Sequence, residues 1–266
     1  MNLVRPAAVA GMFYPGDAAT LASEVRHMLA EAEGIHLRPK ALVAPHAGYV
    51  YSGPIAASAY ALLKPLRQVI RRVVLLGPVH RVWVQGIALP AADSFETPLG
   101  RIPLDQEAVL AIRDLPQIEV NATAHAMEHS LEVQLPFLQT VLEDFSLVPL
   151  AVGGATPEEV AEVLERLWGG DETLIVVSSD LSHYLPYSTA RLTDQDTVQH
   201  ILKLDAHLLG EQACGAHPLN GLLLVARRHG LRAQLLDLRN SGDTAGDKHQ
   251  VVGYAAIALT EAERAH

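Results

Sequence analysis

Cysteine is nearly absent from this chain of 266 residues, which contains Cys214 alone. One cysteine cannot form an intramolecular disulfide, and this excludes the secreted scaffolds that depend on disulfide bonds. A lone thiol is instead typical of a reducing compartment. The first eleven residues also lack the cationic start and apolar run of a signal peptide. We therefore expect a cytoplasmic protein.

Positive charge is scarce as well. Lys and Arg number 20 against 30 Asp and Glu, which gives a formal net charge of −10. No block of basic residues interrupts this acidity. Because binding to a phosphate backbone needs clustered positive charge, the composition argues against nucleic acid as a partner.

A membrane-spanning segment is not predicted either. Residues 41–63 form the one uncharged stretch of spanning length. This stretch contains Pro45, Gly48 and Pro54, which a membrane helix tolerates poorly. It is better interpreted as a buried strand, a loop and a helix, and we expect no association with membranes.

Three common catalytic or nucleotide-binding motifs are missing. None of the lysines follows a glycine, so there is no P-loop. No G-x-G-x-x-G follows a predicted strand, and no G-x-S-x-G nucleophile elbow occurs. The sequence therefore gives no support to a nucleotide-binding protein or to an α/β-hydrolase.

What the sequence does contain is an alternation of short β-branched runs with amphipathic stretches. This alternation predicts an α/β fold, and the continuously apolar runs indicate a sheet covered on both faces. The predicted strands are residues 41–44, 73–76, 84–89, 147–152, 174–177, 233–238 and 251–259. The predicted helices are residues 18–32, 55–66, 106–114, 130–142, 157–168, 190–208 and 219–229. We predict a single-domain sandwich over residues 1–266, with a mostly parallel mixed sheet whose last two strands are antiparallel additions.

Local signals refine two of these helices. Thr156, Pro157 and Glu159 provide a cap, a first-turn proline and a reciprocal acidic residue, which together predict a helix start. Pro136 falls within the predicted helix 130–142. Because proline removes a backbone donor and clashes with the preceding turn, we expect a kink or break there.

Histidine is abundant, with 13 residues, and several histidines follow predicted strands. His46 and His80 each follow one strand, and Asp180 and His183 follow a third. The carboxyl ends of neighbouring parallel strands open into one crevice, so these side chains are expected to converge. Two neutral imidazoles with an anionic third ligand, either Asp180 or the Cys214 thiolate, would bind a divalent metal. The alternative interpretation is that single loop histidines only hydrogen-bond to the backbone.

A second histidine pattern competes with this crevice. Residues 125–129 read H-x-x-E-H, the string of the inverted zinc proteases. On a single helix, His125 and His129 would share a face beside Glu128. The string is short, and the helix is better started near Ser130, which places His129 at the rim of the strand-end crevice instead.

Two further segments contain side chains that could act as ligands or nucleophiles. Cys214 precedes the helix predicted at residues 219–229, and a helix N-terminus favours a thiolate. The alternative is a small buried residue in a turn. Residues 240–247, which include Asp243, suit either a tight loop near a ligand or a simple surface hairpin.

Taken in order, eight segments of the chain closely resemble the MEMO family, whose bacterial members are called AmmeMemoRadiSam system protein B. The segments are residues 5–15 (RPAAVAGMFYP), 45–53 (PHAGYVYSG), 77–80 (GPVH), 128–132 (EHSLE), 134–136 (QLP), 178–184 (SSDLSHY), 214–218 (CGAHP) and 252–256 (VGYAA). They cover nearly the whole chain, so the resemblance is specific for the family. It is much less specific for an activity.

The resemblance implies a fold like that of the LigB-type class III extradiol dioxygenases, which use non-haem iron. It assigns the metal ligands to His46, His80 and Cys214, and catalytic roles to His183 and Asp180. Residues around the crevice or behind the ligands would be His129, His217, Tyr49, Tyr51 and Asp243. The family has a cysteine where the dioxygenases have a carboxylate, and a thiolate favours iron(II), copper(I) or zinc.

Two functions are consistent with these assignments. The first is a metal-binding, dioxygenase-like protein, with iron as the first expectation and copper or zinc as alternatives. The resemblance adds radical-SAM and AMMECR1-like proteins as partners for this redox or oxygen chemistry. The second is a non-catalytic module that binds a peptide or small molecule in the same crevice, between Tyr49, Tyr51 and Tyr184.

Overall fold

Strands and helices alternate along the chain, as the sequence predicts. The computed structural model describes residues 3–32, 34 and 36–261, and within them lie twelve strands and nine α-helices. The strands are β1 (Val4–Arg5), β2 (Pro39–Ala44), β3 (Arg72–Pro78), β4 (Ile87–Leu89), β5 (Ser94–Thr97), β6 (Gly100–Pro103), β7 (Ile118–Val120), β8 (Ser146–Val152), β9 (Thr173–Ser178), β10 (His183–Leu185), β11 (Leu231–Asn240) and β12 (Val251–Glu261). The helices are α1 (Ala18–Glu31), α2 (Tyr49–Tyr60), α3 (Gln106–Ile112), α4 (Ala122–Ala126), α5 (His129–Glu132), α6 (Leu135–Val141), α7 (Pro157–Arg166), α8 (Tyr187–Leu202) and α9 (Ala216–Arg228).

The main sheet is mixed and has a parallel centre. Its order is β10-β12-β2-β9-β3-β8-β4-β7, and β11 pairs with β12 outside this path. The strands β2, β9, β3 and β8 are parallel, whereas β12 is antiparallel to both β2 and β11. A smaller sheet has the order β1-β5-β6. The α/β fold with a mixed, helix-flanked sheet is therefore confirmed, including the antiparallel pair at the C-terminal end.

Both faces of the central strands β2, β3, β8 and β9 are buried, which explains why these strands read as continuous apolar runs. In β2, Leu42 and Ala44 belong to one apolar cluster, with residues of α1, α2 and α6. Ala41 and Val43 point the other way, into a second cluster with residues of α3, α7, α8 and α9. This alternation follows from the two-residue period of a strand.

Helix α7 begins where the capping signal predicts. The side chain of Thr156 accepts a hydrogen bond of 3.2 Å from the N–H of Glu159, whose carboxylate accepts one of 2.8 Å from the N–H of Thr156. The predicted helix 130–142 is broken into α5 and α6, and Pro136 lies in the first turn of α6. A proline is tolerated there because the first-turn N–H groups have no partner within the helix.

Two predicted helix bounds are wrong. Helix α2 begins at Tyr49 and contains Pro54, whereas the sequence suggested a start after this proline. Helix α8 ends at Leu202 rather than at residue 208, and Leu204 has a φ of 56°, a left-handed conformation that a helix cannot continue through. Tertiary packing therefore overrides local propensity at both positions.

Short strands with little alternation escaped the sequence analysis, namely β1, β5, β6, β7 and β10. Within the described residues, no helix is both long enough and apolar enough to cross a lipid bilayer. The assignment of residues 1–266 to one domain stays a prediction, and its two ends lie outside the described residues.

Candidate metal centre at the carboxyl ends of parallel strands

Three strand ends bring together the side chains that the sequence singled out. His46 follows β2, His80 follows β3 and Asp180 follows β9. Since β9 lies in parallel register between β2 and β3, the carboxyl ends of all three open at one edge of the sheet. The imidazole centroids of His46 and His80 are 5.2 Å apart. Oδ1 of Asp180 accepts a hydrogen bond of 2.8 Å from the backbone N–H of His46.

A third histidine joins this pair. His129 is the first residue of α5, and its imidazole centroid lies 5.5 Å from that of His46 and 4.6 Å from that of His80. Each ring offers a nitrogen, and the three nitrogens lie within 4.8 Å of one another. Burial lowers the pKa of His46 well below its usual range and that of His129 to about 4. Both rings are therefore neutral near pH 7, the form that binds metals.

Cys214 lies next to this three-histidine group. Its Sγ is 3.3 Å from Nε2 of His46, and the residue precedes α9 as expected. Burial and the nearby Asp180 carboxyl raise the pKa of the thiol to about 12. The expected preference for a thiolate is absent because desolvation outweighs the helix dipole. A bound cation would favour loss of the thiol proton, and the role of Cys214 as a ligand stays a prediction.

Glu128 supports His80 from behind. One carboxylate oxygen lies 2.8 Å from Nδ1 of His80, and the other accepts a hydrogen bond of 2.6 Å from its backbone N–H. The carboxylate also accepts the N–H of Ser130 and so caps α5. Although burial opposes ionisation, the hydrogen bonds from His80 and Ser130 hold the pKa of Glu128 at about 2. A buried anion therefore fixes the position of His80.

Asp180 and His183 are placed to handle protons near the histidines. Asp180 is only 4% exposed, and burial raises its pKa to about 7. His183 begins β10, and its pKa is lowered mainly by burial and to a smaller extent by the nearby His80. A group with a pKa close to neutral pH can both donate and accept a proton. Their catalytic roles stay predictions.

Comparison with known proteins identifies the family. A family model described as "Memo-like protein" matches residues 5–258. A MEMO1 family protein of Methanosarcina barkeri is 36% identical over 271 residues, which cover 96% of this chain and 99% of the relative. A MEMO1 family protein of Ignicoccus hospitalis is 38% identical over 282 residues, with 96% and 98% covered.

The chain belongs to the Memo family. Its fold is also similar to the crystal structure of an uncharacterized protein, JW3007, from Escherichia coli K12. That match has a TM-score of 0.53 and 15% sequence identity, and it covers 82% of this chain and 99% of the other. At this identity the similarity concerns the fold alone.

Other residues predicted to lie around the crevice have varied surroundings. Tyr49 is buried in the core against Phe137, and its hydroxyl donates to the carbonyl of Val133. Nδ1 of His217, at the surface, lies 2.9 Å from the carbonyl oxygen of Ala155. Asp243 is exposed and accepts a hydrogen bond from the hydroxyl of Tyr187. Tyr51 and Tyr184 are the exposed aromatic side chains of the set, at 40% and 68%.

The protease interpretation of residues 125–129 is wrong. Helix α4 ends at Ala126, and Glu128 adopts an extended conformation before α5. The two histidines therefore do not share a helical face. Nε2 of His125 lies 2.8 Å from the carbonyl oxygen of Ala88, and His125 is not part of the three-histidine group.

The segment around residues 5–14 of this Memo-family chain is held in place by Glu132. This buried carboxylate pairs with Arg5 and accepts hydrogen bonds from the N–H groups of Ala8 and Val9 and from the hydroxyl of Tyr14. The segment thus held places Phe13 against His129, with ring centroids 4.7 Å apart. No sequence pattern indicated that this segment contacts the histidines.

Proposed function

We propose that this Memo-family protein binds one metal ion through His46, His80 and a third ligand, and uses it in redox or oxygen chemistry on a small molecule. The three ring nitrogens within 4.8 Å of one another carry this proposal. His129 is the third ligand favoured by geometry, and Cys214 is the one favoured by family resemblance. Both lie near His46, so either completes a set of three.

The donor set fits the proposed ion. Imidazole and thiolate ligands suit iron, copper and zinc, and two histidines with one further ligand leave positions open for a substrate. We propose iron first because of the resemblance to iron-dependent ring-cleaving dioxygenases. When bound, such an ion supplies Lewis-acid and electron-transfer chemistry.

The chain itself supplies the proton-handling groups of the proposed reaction. Asp180, with a pKa of about 7, donates or accepts a proton beside His46. His183 is neutral near pH 7 because burial lowers its pKa, and it acts as a general base toward a substrate hydroxyl. The surrounding burial excludes water and strengthens these electrostatic interactions.

Metal content tests this proposal. The protein is expressed without an affinity tag, stripped with chelator, reloaded with iron(II), copper(I) or zinc, and analysed by mass spectrometry. We expect about one ion per chain for at least one of these metals, and less than a tenth of that in His46→Ala and His80→Ala, because each variant removes one of three ligands.

The matched control is His207→Ala, whose side chain is exposed and pairs only with Asp205 among the described residues. It should bind as much metal as the wild type. Comparison of His129→Ala with Cys214→Ser then assigns the third ligand. Metal content that is low in the wild type, or unchanged in His46→Ala and His80→Ala, would contradict the proposal.

A second candidate, a non-catalytic module for a peptide or small ligand, is favoured by the exposed Tyr51 and Tyr184. Burial mainly raises the pKa of Tyr254, and the Asp180 carboxyl and the hydroxyls of Tyr51 and Tyr184 raise it further, so these groups lie near Tyr254. Exposed aromatic rings are common in binding sites. Oxygen uptake by the iron-loaded protein with a panel of catechols separates the two functions, since a ring-opened product is incompatible with binding alone.

The proposed setting of this activity follows from composition and resemblance. A single cysteine suits a reducing compartment, so we propose the cytoplasm. Family resemblance leads us to propose a radical-SAM enzyme and an AMMECR1-like protein as partners. Copurification from a host that coexpresses all three proteins would test this association.

A further inference from the structure

The hydrogen bonds behind His46 determine which of its nitrogens carries the proton. Nδ1 of His46 lies 2.8 Å from Oγ of Ser178. That hydroxyl has one proton, which it donates to the carbonyl oxygen of Ser130 at 2.6 Å. Ser178 therefore has only lone pairs left for its other partners. His46 must be the donor in this hydrogen bond. The single proton of the neutral ring therefore sits on Nδ1, and Nε2 is unprotonated.

The side-chain amide of Gln134 supports this assignment of the His46 tautomer. Nε2 of Gln134 donates both to the carbonyl of Pro45 at 2.9 Å and to Oγ of Ser178 at 2.7 Å. A carbonyl can only accept, so the amide cannot be turned around. The remaining oxygen of Gln134 accepts the hydroxyl of Tyr60 at 2.7 Å. Every member of this buried chain thus has a defined direction of donation.

The same logic applies to His80 through a different partner. Nδ1 of His80 lies 2.8 Å from the Glu128 carboxylate, whose oxygens also accept the backbone N–H groups of His80 and Ser130. His80 therefore donates through Nδ1, and in the neutral ring Nε2 is the unprotonated nitrogen. His129 differs, because its Nδ1 is 3.5 Å from the same carboxylate, beyond ordinary hydrogen-bond geometry.

We propose that Ser178 and Glu128 are positioning residues that hold His46 and His80, respectively, in the tautomer with the proton on Nδ1. The unprotonated Nε2 of each ring is then available before a metal binds. The metal half of this inference rests on the proposed function, whereas the tautomers do not depend on it. Hydrogen bonds of this kind orient ligand histidines and tune their affinity for metal. The tautomers of His46 and His80 are thus fixed in advance of metal binding, and the third ligand completes the site.

The tautomers are measured by long-range ¹H–¹⁵N NMR of ¹⁵N-histidine-labelled protein after chelator treatment, at pH 8. His125 is an internal reference, since its Nε2 donates to the carbonyl of Ala88 and its proton therefore sits on Nε2. We expect His46 and His80 to show the opposite pattern. A pattern like that of His125 for either ring would overturn the assignment for that ring, whether or not the protein binds metal.

The positioning role is tested by metal affinity in matched variants. Ser178→Ala should weaken binding about 10- to 100-fold and mix the two tautomers of His46, since loss of such a partner usually costs this much. Ser178→Thr, which keeps the hydroxyl, should restore both. Ser58→Ala, near the C-terminal end of α2, is the control. If Ser178→Ala binds metal like the wild type, the positioning role is rejected. If the wild type binds no metal, the proposed function fails and the NMR pattern alone decides the tautomers.

Discussion

Replacement of Glu132 by alanine is expected to lower the free energy of unfolding by about 3–5 kcal/mol, the usual cost of removing one partner from a buried ion pair. The substitution leaves the Arg5 guanidinium buried without its countercharge. It also removes the acceptor of the N–H groups of Ala8 and Val9. Chemical denaturation followed by circular dichroism measures the loss.

The matched control is Glu96→Ala, which breaks the surface pair with Arg101, whose side chain is 61% exposed. A surface pair contributes less than about 1 kcal/mol, so this variant should remain close to the wild type. Glu132→Ala should also release Phe13 from His129, which increases exchange of the backbone amides of residues 8–14 with solvent. A Glu132→Ala variant as stable as Glu96→Ala would contradict the clamping role of Glu132.

Between pH 6.5 and pH 4, the burial of His125 is expected to lower the free energy of unfolding of the wild type by about 3 kcal/mol. Replacement of His125 by glutamine should abolish this part of the loss. Burial lowers the pKa of His125 from 6.5 to about 4, and its Nδ1 has no hydrogen-bond partner among the described residues. Because the folded-state pKa is the lower one, the unfolded state gains a proton first, and stability falls as the pH drops from 6.5 to about 4. The shift converts at about 1.4 kcal/mol per pH unit.

Denaturation of wild type and variant across this pH range measures the difference. His46 and His129 contribute slopes of the same sign in both proteins, so they cancel. Phe95→Leu alters the same pocket, with a ring centroid 6.0 Å from that of His125, and adds no titrating group. Its stability difference from the wild type should be constant with pH. Equal slopes for wild type and His125→Gln would show that burial of this imidazole does not control the acid response.

Much of the main sheet could be predicted because its strands are buried on both faces. The runs around Leu42, Leu75 and Val176 are apolar throughout, as is typical of parallel strands covered by helices on each side. The strands that were missed are two to four residues long, and the burial patterns of β6 and β7 are largely exposed. Of these, β1, β7 and β10 form through pairing with strands that are distant in sequence, so local pattern does not show them.

The site was partly predictable for a related reason. His46, His80 and Asp180 follow strands that are recognisable one by one, and parallel order then brings the strand ends together. The residues behind the ligands were not assigned: Ser178 and Gln134 lie within the family motifs, yet only the hydrogen-bond directions reveal their role. The sequence predicts a helix start near Ser130, but it does not show that the Glu128 carboxylate hydrogen-bonds to His80. The strength of the desolvation at Cys214 depends on the packed structure in the same way.

The most direct test of a metal centre at the carboxyl ends of β2 and β3 is anomalous diffraction from crystals of the iron-loaded protein, recorded above and below the iron edge. We expect one anomalous peak per chain at about 2.1 Å from Nε2 of both His46 and His80, as is usual for metal–imidazole bonds. Its third protein contact should be His129 or Cys214. Iron bound elsewhere on the chain, or a peak that approaches Nδ1 of either histidine, would contradict this account.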